Sequence, residues 1–177
     1  DLQLDLALTG GNAVLFGNEE SLKGDTLTAD LQDITIRNLF VANDDVELTL
    51  DGSLDMQSRA WDAALYLNLS NADISEYLMQ ISPTDITGTV SARCSGTGYS
   101  DLNGSATVNL AESSSEIVDI SAFHIDAVLS ENSLSVDGSA GIGSGSILFS
   151  GKGNLGSGLT PDSWTMRADG NISDSPI

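Results

Sequence analysis

The chain reads Val46-Glu47-Leu48-Thr49-Leu50-Asp51 at the start of its clearest periodic segment, with apolar and polar side chains in strict alternation. Successive side chains of a β-strand point to opposite faces, so this alternation predicts a strand with one apolar face and one polar face. The same parity continues past Gly52 through Leu54 and Met56. Glycine inside a strand is typical of a bend or a bulge, and we expect one at Gly52.

The two-residue alternation recurs along most of the chain. It is visible at 2–8, 61–69, 90–94, 106–110, 123–129, 134–136, 147–149 and 164–168. Clusters of Asn, Asp, Gly and Ser separate these segments at 42–45, 130–132 and 143–145, and such clusters favour turns. The pattern therefore predicts an all-β chain whose strands form a long, curved antiparallel sheet, connected as a meander.

One stretch departs from this period and predicts a short helix near residues 73–81. Its apolar residues have the i, i+3, i+4, i+7 spacing of a helix face: Ile74, Tyr77, Leu78 and Ile81. Asp73 is a suitable N-cap with Glu76 three residues later, and Pro83 is expected to end the helix.

Composition excludes several classes of function. The 177 residues include 26 Asp and Glu against 6 Lys and Arg, a formal charge of −20. No basic stripe is available to replace the counterions of a nucleic acid, so we expect no nucleic-acid partner. A single cysteine excludes an internal disulfide and a cysteine-based zinc site, and we predict neither a metal nor a cofactor. Because the chain starts at Asp1, without Met or a signal peptide, we interpret residues 1–177 as a single β-rich segment of a longer polypeptide.

Enzyme chemistry is not predicted, and no catalytic residue is proposed. A serine nucleophile needs a positioned base, and His124 is the only histidine. It shares the polar parity of Asp126, so we expect it to face solvent. Cys94 shares the parity of Val90 and Ala92 and is expected to pack as a small apolar residue.

The apolar parity of successive strands defines the candidate binding surface. Its residues are Leu48, Leu50, Leu54, Leu65, Leu67, Leu69, Val90, Ala92, Val108, Leu110, Ile125, Leu134, Val136, Ile147 and Phe149. Periodicity alone leaves two interpretations open. These side chains either line an open apolar groove or close on one another as the core of a β-sandwich.

Several motifs occur in a characteristic order between residues 27 and 155. A strand leads through Asn71-Ala72-Asp73-Ile74-Ser75 into the predicted helix, and Asp85-Ile86-Thr87-Gly88-Thr89-Val90 follows it. Asp101-Leu102-Asn103-Gly104-Ser105 comes next, and Leu134-Ser135-Val136-Asp137-Gly138 precedes the glycine-rich strand at 145–155. In this order the motifs resemble the AsmA-like and TamB family.

The resemblance implies a sheet folded into an open, β-taco-like groove whose apolar lining is the set of fifteen residues given above. It further implies a location in the bacterial periplasm, with the full-length protein anchored in the inner membrane. The implied function is to conduct phospholipid between the inner and outer membranes, to assist outer-membrane protein assembly, or both. The implied partners are phospholipid acyl chains and an outer-membrane TamA-like barrel.

A different class of function remains as the alternative. Strands rich in Ser, Gly and Asn without disulfides are also typical of extracellular interaction modules of the adhesin type, built as a β-sandwich or a β-solenoid. A strict solenoid repeats with a fixed period. The short motif around Gly52, Gly104 and Gly138 recurs at unequal spacings, which disfavours the solenoid.

Overall fold

The computed structural model describes residues 4–6, 11–15, 18–23, 26–29, 32–73, 75, 83–115, 119–156 and 161–171. These residues form fourteen strands of a single sheet. The strands are β1 (Leu4–Leu6), β2 (Gly11–Leu15), β3 (Asn18–Lys23), β4 (Thr26–Ala29), β5 (Asp33–Ala42), β6 (Val46–Asp55), β7 (Trp61–Ala72), β8 (Thr84–Gly96), β9 (Asn103–Leu110), β10 (Ser113–Ser115), β11 (Asp119–Ser130), β12 (Ser133–Ile142), β13 (Gly145–Leu155) and β14 (Pro161–Asn171).

The strands follow one another across the sheet in chain order. Three positions in the sheet are each filled by two short strands lying end to end. β1 and β2 fill the first position, β3 and β4 fill the second, next to β5, and β9 and β10 fill the position between β8 and β11. The fourteen segments therefore fill eleven positions, and every pairing among them is antiparallel. The prediction of an all-β antiparallel meander is confirmed.

Hairpin turns lie where the polar clusters predict them. Between β5 and β6, the Asn43 side-chain oxygen accepts the backbone N–H of Asp45 at 3.0 Å and that of Val46 at 2.8 Å. Between β11 and β12, Glu131 and Asn132 both have positive φ, 48° and 66°. Two successive positive φ values give the turn whose twist matches the flanking strands, and Asn tolerates that region better than most residues.

The irregularity expected at Gly52 lies beside it, on the neighbouring strand. Gly52 pairs regularly with Ile36, but the next pair is Leu39 with Leu50, so β5 carries one extra residue there. Asn38 takes a φ of 51° within this bulge, and its N–H donates to Asp51 Oδ1 at 2.8 Å. The bend is thus built by an asparagine of β5 rather than by the glycine.

The helix predicted for 73–81 lies outside the described residues except at its first positions. There Asp73 Oδ1 accepts the N–H groups of Ser75 and Thr84, both at 3.0 Å. The described part also contains a 3₁₀ turn at Tyr99–Asp101, which the periodicity did not predict. No helix among the described residues is long and apolar enough to cross a bilayer.

Burial is shallow throughout the described sheet. The buried apolar residues are Val41, Ala42, Leu69, Ala72 and Leu102. Among the described residues no large side chain is fully buried. Two sheets packed face to face would enclose large side chains between them, so the described strands form one layer.

Candidate functional site

The strand registers bring the predicted lining residues onto one face, which we call the apolar face. Residues directly opposite each other on paired strands point to the same side of a sheet. The first line of such partners, the Leu67 row, crosses the sheet from β5 to β14 as Val41, Leu48, Leu67, Val90, Val108, Ile125, Gly138, Phe149 and Ala168.

Two further rows flank the Leu67 row. The Leu65 row is Leu39, Leu50, Leu65, Ala92, Ala106, Ala127, Val136, Gly151 and Met166. The Leu69 row is Val46, Leu69, Gly88, Leu110, Phe123, Ala140, Ile147 and Gly170. Beyond the Leu65 row, Leu134 lies in line with Leu129 and Cys94, and Leu54 pairs with Ile34 and Trp61. All fifteen predicted residues therefore share this face.

Exposure on the apolar face is intermediate. Every predicted lining residue is half-buried except Leu69, which is buried. At the β14 end the side chains are more open, with Trp164 41% and Met166 64% exposed. A side chain on a one-layer sheet is sheltered only by neighbours on its own face, so this surface keeps apolar area in reach of solvent.

Side-chain size varies along the apolar face. In the Leu65 row the residues on β8, β9 and β11 are all alanines, while the parallel Leu67 row has Val90, Val108 and Ile125 on the same strands. The apolar surface is consequently lower along the alanines than along the branched residues. This lane of small residues crosses three neighbouring strands, β8, β9 and β11, between Leu65 and Val136.

Aromatic rings cover glycines at the β14 end. A Cβ on Gly138 would lie 2.6 Å from Phe149 Cε2, and one on Gly151 would lie 2.9 Å from Trp164 Cζ2. Phe149 also contacts Phe123, with ring centroids 6.2 Å apart and planes tilted by 31°. The rings of Phe149 and Trp164 occupy space beside these glycines because the glycines have no side chain.

Periodicity missed part of this surface. On β5, the residues of the apolar face switch parity at the bulge, from Ile34 and Ile36 to Leu39 and Val41. A single two-residue period cannot describe such a strand. Trp164 and Met166, by contrast, show their parity in the sequence and could have been included from it.

The opposite side, which we call the polar face, carries the acidic side chains. Glu47, Asp51 and Asp62 lie opposite Asn68, Ala64 and Ser53 respectively, all on this face. Asp55, which lies opposite Asp33, shares this face, and the parity of all four carboxylates in the sequence agrees with the registers. The two faces thus differ in both hydropathy and charge.

A hydrogen-bonded cluster around His124 lies on the polar face, as its parity predicts. The ring Nδ1 lies 2.6 Å from Asn109 Oδ1, and Nε2 lies 2.9 Å from Asp126 Oδ2. The Thr107 hydroxyl donates to Asp126 Oδ1 at 2.7 Å. This hydroxyl, and then His124, hold the pKa of Asp126 below its usual range.

The cluster joins β9 to β11 and is not arranged for nucleophilic catalysis. Ser139 lies opposite His124 on β12. Both ring nitrogens of His124 are engaged by Asn109 and Asp126, so neither is directed at Ser139 as a general base must be. Within the described ranges, no three His, Cys, Asp or Glu side chains are placed to hold a metal ion.

Comparison of the chain with known protein families, curated proteins and solved structures gives no match. The resemblance to the AsmA-like and TamB family stays a prediction from the sequence motifs. A function must accordingly be argued from the two faces of the sheet.

Proposed function

We propose that the apolar face holds phospholipid acyl chains, and that the protein is a periplasmic conduit for phospholipid between the inner and outer membranes. One observation carries the proposal. Lines of apolar side chains cross the sheet from β5 to β14, and no second layer of described residues covers them.

The dimensions suit an acyl chain. The Leu65 row has nine members, and neighbouring strands are about 4.8 Å apart, so the row is roughly 38 Å long. Half of a hydrocarbon core of about 30 Å corresponds to one extended acyl chain, about 15 Å. A chain lying along the row would therefore contact several strands, with room for movement along it.

The chemistry suits an acyl chain as well. Acyl chains have no hydrogen-bonding groups, so a surface that binds them needs continuity rather than placed donors or acceptors. Each methylene removed from water contributes about 0.8 kcal/mol. Sliding from one strand to the next exchanges one set of apolar contacts for a similar set, which favours transfer over tight retention.

The adhesin-type alternative finds less support in the architecture. A parallel β-helix would have coils in parallel register, whereas every described strand pair is antiparallel. A sandwich core would contain fully buried large side chains, and none occurs among the described residues. The family resemblance adds the periplasmic location, the inner-membrane anchor and a TamA-like barrel partner in outer-membrane protein assembly, and these remain proposals.

Photo-crosslinking from neighbouring residues tests the proposal. Photoreactive side chains at Leu67 and Ile125 should capture phospholipid from vesicles of phosphatidylethanolamine and phosphatidylglycerol, while those at Tyr66 and His124 should not. Adjacent residues are only about 3.3 Å apart along a strand but face opposite sides, so general stickiness would label both sets. Equal labelling, or no labelling of folded protein, would contradict the proposal.

A further inference from the structure

The polar face contains a second surface of interest, a depression that we call the Arg93 trough. It has two connected parts with volumes of about 300 and 540 Å³, which share Ala64, Arg93 and Ser105. Its lining includes the small side chains of Ala64, Ser91 and Ser105 together with Tyr66 and Arg93. Volumes in this range are typical of small-molecule sites.

The trough combines an exposed ring with several hydrogen-bonding groups. The Tyr66 side chain is 48% exposed. Thr49 and Ser91 lie directly opposite it on the flanking strands. Asp51 Oδ1 accepts the N–H of Asn38 at 2.8 Å, which fixes that carboxylate at the trough wall.

Charge in the trough selects the class of ligand. Among the described residues Arg93 makes no ion pair, and it is the one cationic residue lining either part. Asp51 and Asp62 lie in the same lining, so the carboxylates outnumber the guanidinium. An anion would meet this excess of negative charge in a chain whose formal charge is −20. A neutral ligand with many hydroxyl groups matches both the donors and the acceptors.

We propose that the Arg93 trough binds a neutral oligosaccharide, with Tyr66 stacking on the apolar face of a sugar ring. Arg93 donates to sugar oxygens, and Asp51 accepts from sugar hydroxyls. Aromatic side chains offer apolar area at little cost in conformational entropy, which suits an open site of this kind. The site lies on the face opposite the proposed lipid surface, so either proposal can fail without the other.

Amide NMR of the isotopically labelled chain tests this site. Cellotriose and triacetylchitotriose are the probes, with inorganic phosphate as the anionic comparison. At least one sugar should shift amide signals from β6 to β9 in a saturable manner, and phosphate should not. No saturable shift with either sugar, or saturable binding of phosphate alone, would overturn the proposal.

Variants locate the binding. Tyr66→Ala should reduce the affinity at least tenfold, while Tyr66→Phe keeps the ring and should remain within about threefold. Arg93→Gln should weaken binding without removing a packed side chain, because Arg93 is exposed. Leu148→Ala is the matched control, since Leu148 is a 62% exposed residue of the same face outside the trough. Unchanged affinity in both Tyr66→Ala and Arg93→Gln would place the sugar elsewhere and refute the assignment.

Discussion

The ring of Phe149 lies over Gly138 on the adjacent strand, in the space that a side chain at Gly138 would occupy. A Cβ at Gly138 would be 2.6 Å from Phe149 Cε2 and also 2.6 Å from the backbone oxygen of His124. One of these contacts is with backbone, so movement of the ring alone cannot relieve the crowding. The absence of a side chain at Gly138 thus lets the Phe149 ring pack against the neighbouring strand.

Gly138→Ala should therefore destabilise the protein. Overpacking of this kind costs about 1–3 kcal/mol, measurable as a lower midpoint in urea denaturation. Gly98→Ala is the matched control, because nothing lies within 4 Å of a Cβ there and the backbone is extended, with φ of −176°. Equal stability of Gly138→Ala and the control would show that Phe149 does not lie over the glycine.

The Thr107 hydroxyl is expected to determine the titration of Asp126. Its hydrogen bond is the largest cause that lowers the Asp126 pKa, ahead of His124. Thr107→Val should raise that pKa towards the ordinary value, as followed by NMR of the carboxyl carbon. His124→Ala should raise it less. Thr89 is another threonine of the polar face, two strands from Asp126, so Thr89→Val should leave the pKa of Asp126 unchanged.

The direction of the pH dependence follows from the lowered pKa. A carboxyl that is more acidic when folded stabilises the protein above its unfolded-state pKa, and this stabilisation is lost as the pH falls through the folded-state pKa. The free energy of unfolding of Thr107→Val should therefore differ least from that of wild type at low pH, where both proteins carry a protonated Asp126. A difference that grew on acidification would contradict this assignment.

β14 is the last strand of the described sheet, and we expect it to favour self-association of the 1–177 chain. Among the described strands β14 pairs only with β13, and its residues from Asp162 to Asn171 are exposed. An edge strand with unpaired backbone groups can pair with another chain, and a charge on it opposes this. Concentration-dependent oligomers are expected in sedimentation experiments, and Met166→Lys should reduce them. Met56→Lys is the control, since Met56 is 52% exposed but lies outside β14. Equal effects of the two lysines would exclude the edge as the contact.

The sequence was sufficient to predict the faces of β6, β8, β9, β12 and β13, and of β7 and β11 away from their bulges, because these pairs stay in phase. Leu48, Leu67 and Val90 meet on one face because each strand alternates regularly through the contact. The bulges could not be predicted in this way. In β7, an extra residue lies between Leu69 and Ala72, and Asn71 has a φ of 53° there. Its N–H is satisfied by Thr87 Oγ1 at 3.0 Å, a bond to another strand that no local pattern reveals.

The Arg93 trough also lay beyond sequence reasoning. Its lining brings Ala64 and Ser105 to either side of Arg93 on separate strands, and so depends on registers that join positions far apart in the chain. Alternation shows that these residues face the same side of their strands. It does not show which of them become neighbours, so a depression between them emerges only once the sheet is assembled.

A charge in the middle of the apolar face should interfere with phospholipid binding. Leu67 is half-buried between Leu48 and Val90, so Leu67→Asp places a carboxylate among apolar side chains. An unpaired charge next to an acyl chain costs several kcal/mol. Phospholipid transfer between vesicles by the variant should fall by at least tenfold relative to wild type.

Leu148→Asp separates this effect from a general effect of added charge. Leu148 is 62% exposed on the polar face, opposite Ser139 of β12, so the same substitution there adds the same charge away from the proposed lipid surface. Leu67→Asp also removes packing from the sheet, and urea denaturation of both variants must show that each remains folded under the transfer conditions.

If Leu67→Asp proves unfolded, Ala106→Asp places the charge in the lane of small residues, beside Ala92 and Ala127, and is expected to reduce transfer in the same way. Normal phospholipid transfer by folded Leu67→Asp or folded Ala106→Asp would refute the acyl-chain proposal. It would show that the lipid does not follow a continuous apolar path across this face.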